Sequence, residues 1–97
     1  MTYKLKFLPT ALKEWKKLGG TIQSQFKKKL AERLEHPHVP DSSLSGFKNH
    51  YKIKLRASGF RLVYEVIDKE IVVLVIAVGK REKNVVYKKA HNRIRNT

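Results

Sequence analysis

The chain has 97 residues, 22 of them Lys or Arg against 8 Asp or Glu, and carries a formal net charge of +14. That length supports one hydrophobic core and a single domain over residues 1–97, with no room for a separate cofactor domain. The charge opposes compaction and points to a polyanion as partner, because binding one releases its counterions, while the absence of cysteine excludes a disulfide framework, thiolate zinc sites and a cysteine nucleophile.

Tyr3, Leu5 and Phe7 alternate with Thr2, Lys4 and Lys6, which predicts a half-buried strand. This opening lacks the apolar run of a signal peptide, and the longest such run, Ile71 to Val78, is too short to span a bilayer. The expectation is a cytoplasmic protein with no membrane partner. Pro9 opens a helix, where its missing N–H costs little, and Ala11, Leu12, Trp15 and Leu18 share one face. Gly19-Gly20 ends that helix and Thr21 is the expected N-cap of the next. There Ile22, Phe26, Leu30 and Leu34 recur every fourth position, with Lys27, Lys28, Lys29 and Arg33 on the other sides. The pair reads as an antiparallel helical hairpin with both apolar faces turned to a sheet.

His36 to Ser43 is a loop by its prolines and small polar residues, and Gly46 closes it. Three strands follow, Tyr51 to Leu55, Phe60 to Ile67 and Ile71 to Val78, joined by turns at Arg56 to Gly59 and Asp68 to Glu70. The last is apolar on both faces and belongs in the centre, covered on both sides. Asn84 is the expected cap of a final basic helix through Val85, Val86, Ala90 and Ile94. The fold class is therefore α+β in the order β-α-α-β-β-β-α. A mostly antiparallel four-stranded sheet carries the helical hairpin on one face, with the C-terminal helix added. The first strand should lie beside the central apolar one, in a direction the pattern leaves open.

The informative stretch runs from Tyr51 to Tyr64. Closing the hairpin with Leu55 opposite Phe60 sets Ile53 against Leu62 and Tyr51 against Tyr64, an apolar face. The other face then carries Lys52 and Lys54, with Arg61 directly opposite Lys54. A one-residue slip would drive these cations into the core. Like charges facing each other weaken a strand pair, so stability alone gives no reason to gather them; a solvated face of edge-guarding lysines is the plainer alternative. Lys80 and Arg81 arrive at the end of the next strand, and Tyr87 follows on the final helix. Cations with an aromatic at their rim suit phosphate contact and base stacking.

His36, His38, His50 and His91 form no evident metal or acid–base constellation, so neither metal nor cofactor is expected. Lysine and arginine would have to carry any chemistry. A lysine crowded by other cations gives up its proton more readily and can act as general base toward an RNA 2′-hydroxyl. Arginine can stabilise the charge that builds on phosphorus. The products would be a 2′,3′-cyclic phosphate and a 5′-hydroxyl.

These residues resemble the RelE family of toxin–antitoxin mRNA interferases over nearly the whole chain. The likeness rests on Ala11 to Trp15, Lys27 to Leu30, Tyr51 to Arg56, Ser58-Gly59, Arg61 to Tyr64, Val78 to Glu82 and Val86-Tyr87. It implies cleavage of mRNA in the ribosomal A site. Lys52 and Lys54 would supply the base and bind phosphate, with Lys54 the preferred base. Arg61 would stabilise the transition state, Arg81 assist the leaving oxygen, and Tyr87 stack on or orient a base. Arg56, Lys80, Lys83, Lys27 and Lys28 would grip RNA, including that of the ribosome. A cognate RelB-like antitoxin is implied as partner, wrapping the domain and able to displace the last helix. The chain departs from the family pattern at Ser45, where a well-known member has arginine, and at Phe60, where it has tyrosine. Two other functions remain open: a ParE-like gyrase poison on the same scaffold, and a non-catalytic RNA- or ribosome-binding module.

Overall fold

The computed structural model describes residues 2–80 and 85–95. Within them the chain forms β1 (Lys4–Phe7), α1 (Pro9–Lys16), α2 (Gly20–Glu35), a 3-10 turn (Pro40–Ser42), β2 (His50–Leu55), β3 (Phe60–Ile67), β4 (Val72–Lys80) and α3 (Val85–Arg95). The element order matches the expectation. The sheet runs β1-β4-β3-β2, with β2, β3 and β4 antiparallel and β1 parallel to β4, so it is mixed. The two-helix crossover from β1 to the hairpins supplies the length that a parallel neighbour requires. No helix among the described residues is long and apolar enough to cross a membrane.

β4 is central and buried on both faces, as its unbroken apolar run demands. On one side, Ala11 and Trp15 of α1 and Phe26 and Leu30 of α2 pack against Tyr51, Ile53, Leu62, Tyr64, Val73, Val75 and Val78. On the other, Val86 and Ala90 of α3 pack with Val63, Ile76, Ala77 and Leu44. Full burial of a side chain such as Phe26 or Leu30 contributes about 2 kcal/mol. Three local expectations are corrected. Gly19, with no side-chain cap, precedes α2, so Thr21 lies inside the first turn. Leu5 is exposed because β1 is an edge strand, where only one side finds a neighbour. Arg33 is half-buried, donating to the Tyr64 hydroxyl at 2.9 Å and to the Lys52 carbonyl at 3.4 Å. It ties α2 to the sheet instead of covering an outer face. Asn84 lies outside the described residues.

A β-bulge positions the end of β4. Val63 pairs with Ala77 but Tyr64 with Val75, leaving Ile76 as the extra residue. Ile76 and Ala77 therefore both face α3, and Val78 turns back to the helical hairpin. Two side chains tie off the polar groups this exposes. Arg93 of α3 donates to the Ile76 carbonyl at 2.8 Å, and Glu14 of α1 accepts the Val78 N–H at 3.3 Å. Glu14 also accepts from Arg93 at 2.8 and 3.0 Å and from Lys89 at 3.2 Å. α1, β4 and α3 thus meet at one carboxylate.

Burial pushes the Glu14 carboxyl up, but hydrogen bonds from Arg93, the Val78 N–H and Lys89 outweigh it and hold the group below its ordinary 4.5. A depressed folded value means the stabilisation is fully present above 4.5 and fades as pH falls through the lower folded value. Glu14→Gln is expected to lower unfolding stability at neutral pH by about 1–2 kcal/mol, since it leaves a partly buried arginine without its counter-charge. Urea titrations at neutral pH and below pH 4.5 check this, with the gap between the two proteins closing at the lower pH.

Candidate active site

The β2–β3 hairpin is closed by a turn over residues 56–59, in which Gly59 adopts φ +79° and its N–H reaches the Leu55 carbonyl at 2.8 Å. That left-handed backbone is open to glycine at little cost. The register is Leu55 to Phe60, Lys54 to Arg61, Ile53 to Leu62, Lys52 to Val63 and Tyr51 to Tyr64. Because side chains alternate, Lys52, Lys54, Arg61 and Val63 share the face opposite the helical hairpin. Arg61 in turn stands opposite Gly79 of β4. A Cβ built on Gly79 meets nothing within 4 Å, so the sheet floor beside Arg61 is open.

The three cations differ in exposure. Lys54 is exposed and Lys52 half-exposed. Arg61 is 7% exposed, which tells against the plainer alternative of an evenly solvated basic face. Its guanidinium lies against the turn, Nη1 donating to the Phe60 carbonyl at 3.0 Å and the Leu55 carbonyl at 3.5 Å. Its Nε is buried with no hydrogen-bond partner among the described residues. A buried donor left unpaired costs about 1–3 kcal/mol, so Arg61 is held in place at a stability penalty.

α3 brings the aromatic. Val86 and Ala90 seat the helix on Val63 and Ala77. The next position along, Tyr87, then overhangs β2, with Lys52 Nζ 5.7 Å from its ring centroid. Lys80 is exposed at the end of β4, 6.0 Å from the Phe60 ring. Arg56, Lys54 and Lys28 line a groove of about 570 Å³ around the β2 edge. A second groove, holding Lys52, Lys54, Arg56 and Arg33, continues it. Lys27 is exposed on α2 and lines neither. Arg81 and Lys83 lie outside the described residues.

The histidines resolve differently from one another. His50 is buried, bonded to the Lys48 carbonyl at 2.7 Å and stacked edgewise on Phe47, so it supports β2 instead of meeting a ligand. His38 bridges the Tyr51 hydroxyl and Asp68, each at 2.9 Å. Among the described residues no group of three His, Cys, Asp or Glu is disposed to hold a metal ion. A feature missed from the sequence is a third groove, about 690 Å³, between α3 and the loop before β2. Ser45, Lys52, Tyr87, Lys88, His91 and Asn92 line it.

The family model described as ParE toxin of type II toxin–antitoxin system, parDE, matches residues 5–85. The mRNA interferase toxin RelE of Escherichia coli (strain K12) is 56% identical over 94 residues, 97% of this chain and 99% of that one. A structure of an arginine-to-alanine double mutant of E. coli toxin RelE in the free state superposes with a TM-score of 0.89 at 55% identity, covering 97% of this chain and 99% of that one. The crystal structure of the intact E. coli RelBE toxin–antitoxin complex gives a TM-score of 0.80 at 57% identity, covering 82% of this chain and 98% of that one.

If Arg61 is kept for a ligand and not for the fold, removing its charge should relieve the penalty. Arg61→Met, similar in length and able to fill the same space, is expected to raise unfolding stability by about 1 kcal/mol. A urea titration checks it; a loss of several kcal/mol would make Arg61 a structural residue.

Proposed function

The chain belongs to the RelE/ParE family of type II toxin–antitoxin toxins, and from that membership we propose that it is an mRNA interferase that cuts messenger RNA in the ribosomal A site. The observation that carries the reading is Lys54 directly across the strand pair from Arg61, on one face with Lys52, whose ammonium lies beside the Tyr87 ring. In that position a lysine amine can serve as general base toward the 2′-hydroxyl.

Lys54 Nζ takes the proton of the 2′-hydroxyl. The O2′–P bond forms as the P–O5′ bond breaks, giving a 2′,3′-cyclic phosphate and a 5′-oxygen that gains a proton to become a hydroxyl. The Arg61 guanidinium, whose Nε has no hydrogen-bond partner among the described residues, stabilises a phosphate oxygen as charge builds. Lys52 holds the phosphate, and the open floor at Gly79 admits it. Tyr87 stacks on the adjacent base and fixes the in-line geometry. Arg81 assists the leaving oxygen by charge; its high pKa makes proton donation a poor role for it. The RNA supplies the nucleophile, so the step needs no cofactor. Arg56, Lys28, Lys80, Lys27 and Lys83 hold ribosomal RNA by charge. The partner that controls the toxin is a RelB-like antitoxin, and the site of action is the cytoplasm.

The match to a ParE model favours a second reading, a gyrase poison on the same scaffold. One experiment separates them. A defined message is translated in a purified system and its new 5′ ends are mapped. The intact protein is expected to create ends within A-site codons, with Lys54→Ala and Arg61→Ala each slower by about a hundredfold or more. Gly79→Val should slow cutting too, by filling the floor. Whole messages together with DNA breaks would establish the poison instead; equal cutting by both cation variants would refute the site.

A further inference from the structure

The groove beside α3 has no part in the chemistry above, yet it opens from the same two side chains. Lys52 and Tyr87 line its inner end, and from there it runs along α3 past Lys88, His91 and Asn92. Its volume of about 690 Å³ lies within the roughly 300–1,000 Å³ typical of small-ligand sites.

Its walls have distinct origins. On α3, Tyr87 and His91 stand one turn apart, as do Lys88 and Asn92. An aromatic stripe therefore lies beside a stripe bearing one cation and one amide. The opposite wall is the loop before β2. Leu44 is buried and anchors it, and Gly46 at φ +86° lets the chain turn back sharply. Phe47 then faces inward, its ring 4.6 Å from His91 and near-perpendicular to it. That contact fixes the His91 ring, while Ser45 stays exposed at the rim. Lys88 and Asn92 are exposed as well.

Each kind of group has a counterpart in a nucleotide. Ring faces accept a base by stacking, a lysine accepts the phosphate, and an amide can donate to and accept from a base edge. We propose that this groove is a nucleotide subsite of the toxin, holding the base and phosphate next to the nucleotide stacked on Tyr87. In it Asn92 and Ser45 read the base edge, His91 stacks, and Lys88 pairs with the phosphate. The proposal rests on the ribonuclease reading, since the strand must pass Lys52 and Tyr87 to enter. Base preference at that position is then set by α3 and the loop before β2, and not by the cation cluster.

Two measurements test it on the intact chain. The first is binding of a short single-stranded RNA, blocked by a 2′-deoxy residue, over a range of salt. The second is the cleavage profile on ribosomes programmed with messages varied at one codon position at a time. Lys88→Ala should reduce the slope of log affinity against log salt by about 0.7, one lost phosphate contact. Asn92→Ala should flatten base preference at one position while cutting continues. His91→Ala should weaken binding by about fivefold or more, as loss of a stacked base does. His91→Phe keeps packing and stacking, and should restore it even if the alanine variant folds poorly. Unchanged salt slope and unchanged base profile in the exposed variants Lys88→Ala and Asn92→Ala would overturn the subsite while leaving the nuclease intact. If the parent protein cuts no message yet the Lys88 and His91 effects on binding remain, the ribonuclease reading fails and the groove stands as an RNA site.

Discussion

The strand register of the β2–β3 hairpin is the constraint on which everything else rests. Strand side chains alternate with a period of two, so one pairing decides the destination of every residue from Tyr51 to Tyr64. With Lys54 opposite Arg61, the tyrosines, Ile53 and Leu62 enter the core beneath the helical hairpin, and the cations emerge together on the far face. Burial of the apolar set therefore enforces a like-charge cluster that the sheet would otherwise avoid. The energy that builds the core also holds the cations in place.

The second device is the bulge at Ile76. By absorbing one residue it sends Val78 into the core and leaves Gly79 opposite Arg61. Without that extra residue, the end of β4 would present the reverse faces. Glu14 and Arg93 secure the bulge from α1 and α3, so the clasp that aims β4 also seats the helix carrying Tyr87. The glycine floor and the overhanging aromatic come from β4 and α3, which share this junction, and they meet the cation face that β2 and β3 present.

The element order, the central place of β4 and the hairpin register were all legible in alternation and turn residues, because burial writes a period-two pattern directly into sequence. The parallel direction of β1 was not, since four residues at an edge carry little pattern. Nor was the bulge: a run apolar on both faces reads the same with or without one inserted residue. Arg61 looked like its neighbours Lys52 and Lys54, yet it is buried because its planar head folds onto the carbonyls of its own turn. Arg33 was misplaced, and the role of His50 left open, for a similar reason. Their partners, the Tyr64 hydroxyl and the Lys48 carbonyl, are set by tertiary packing and loop geometry. The groove along α3 had a faint signal in the spacing of Tyr87 and His91, but its second wall is a loop whose path the sequence does not encode by pattern.

A buried guanidinium with a nitrogen unpartnered among the described residues, lysines gathered on one face and a bare glycine floor are all poor choices for stability. They make sense together if a phosphate completes them and the RNA provides its own nucleophile. The most direct test is to programme ribosomes with a message in which the single nucleotide 5′ to the mapped cut lacks its 2′-hydroxyl. The account predicts that cleavage at that position disappears while the unmodified message is cut. Cleavage of the deoxy position at the unmodified rate would contradict it.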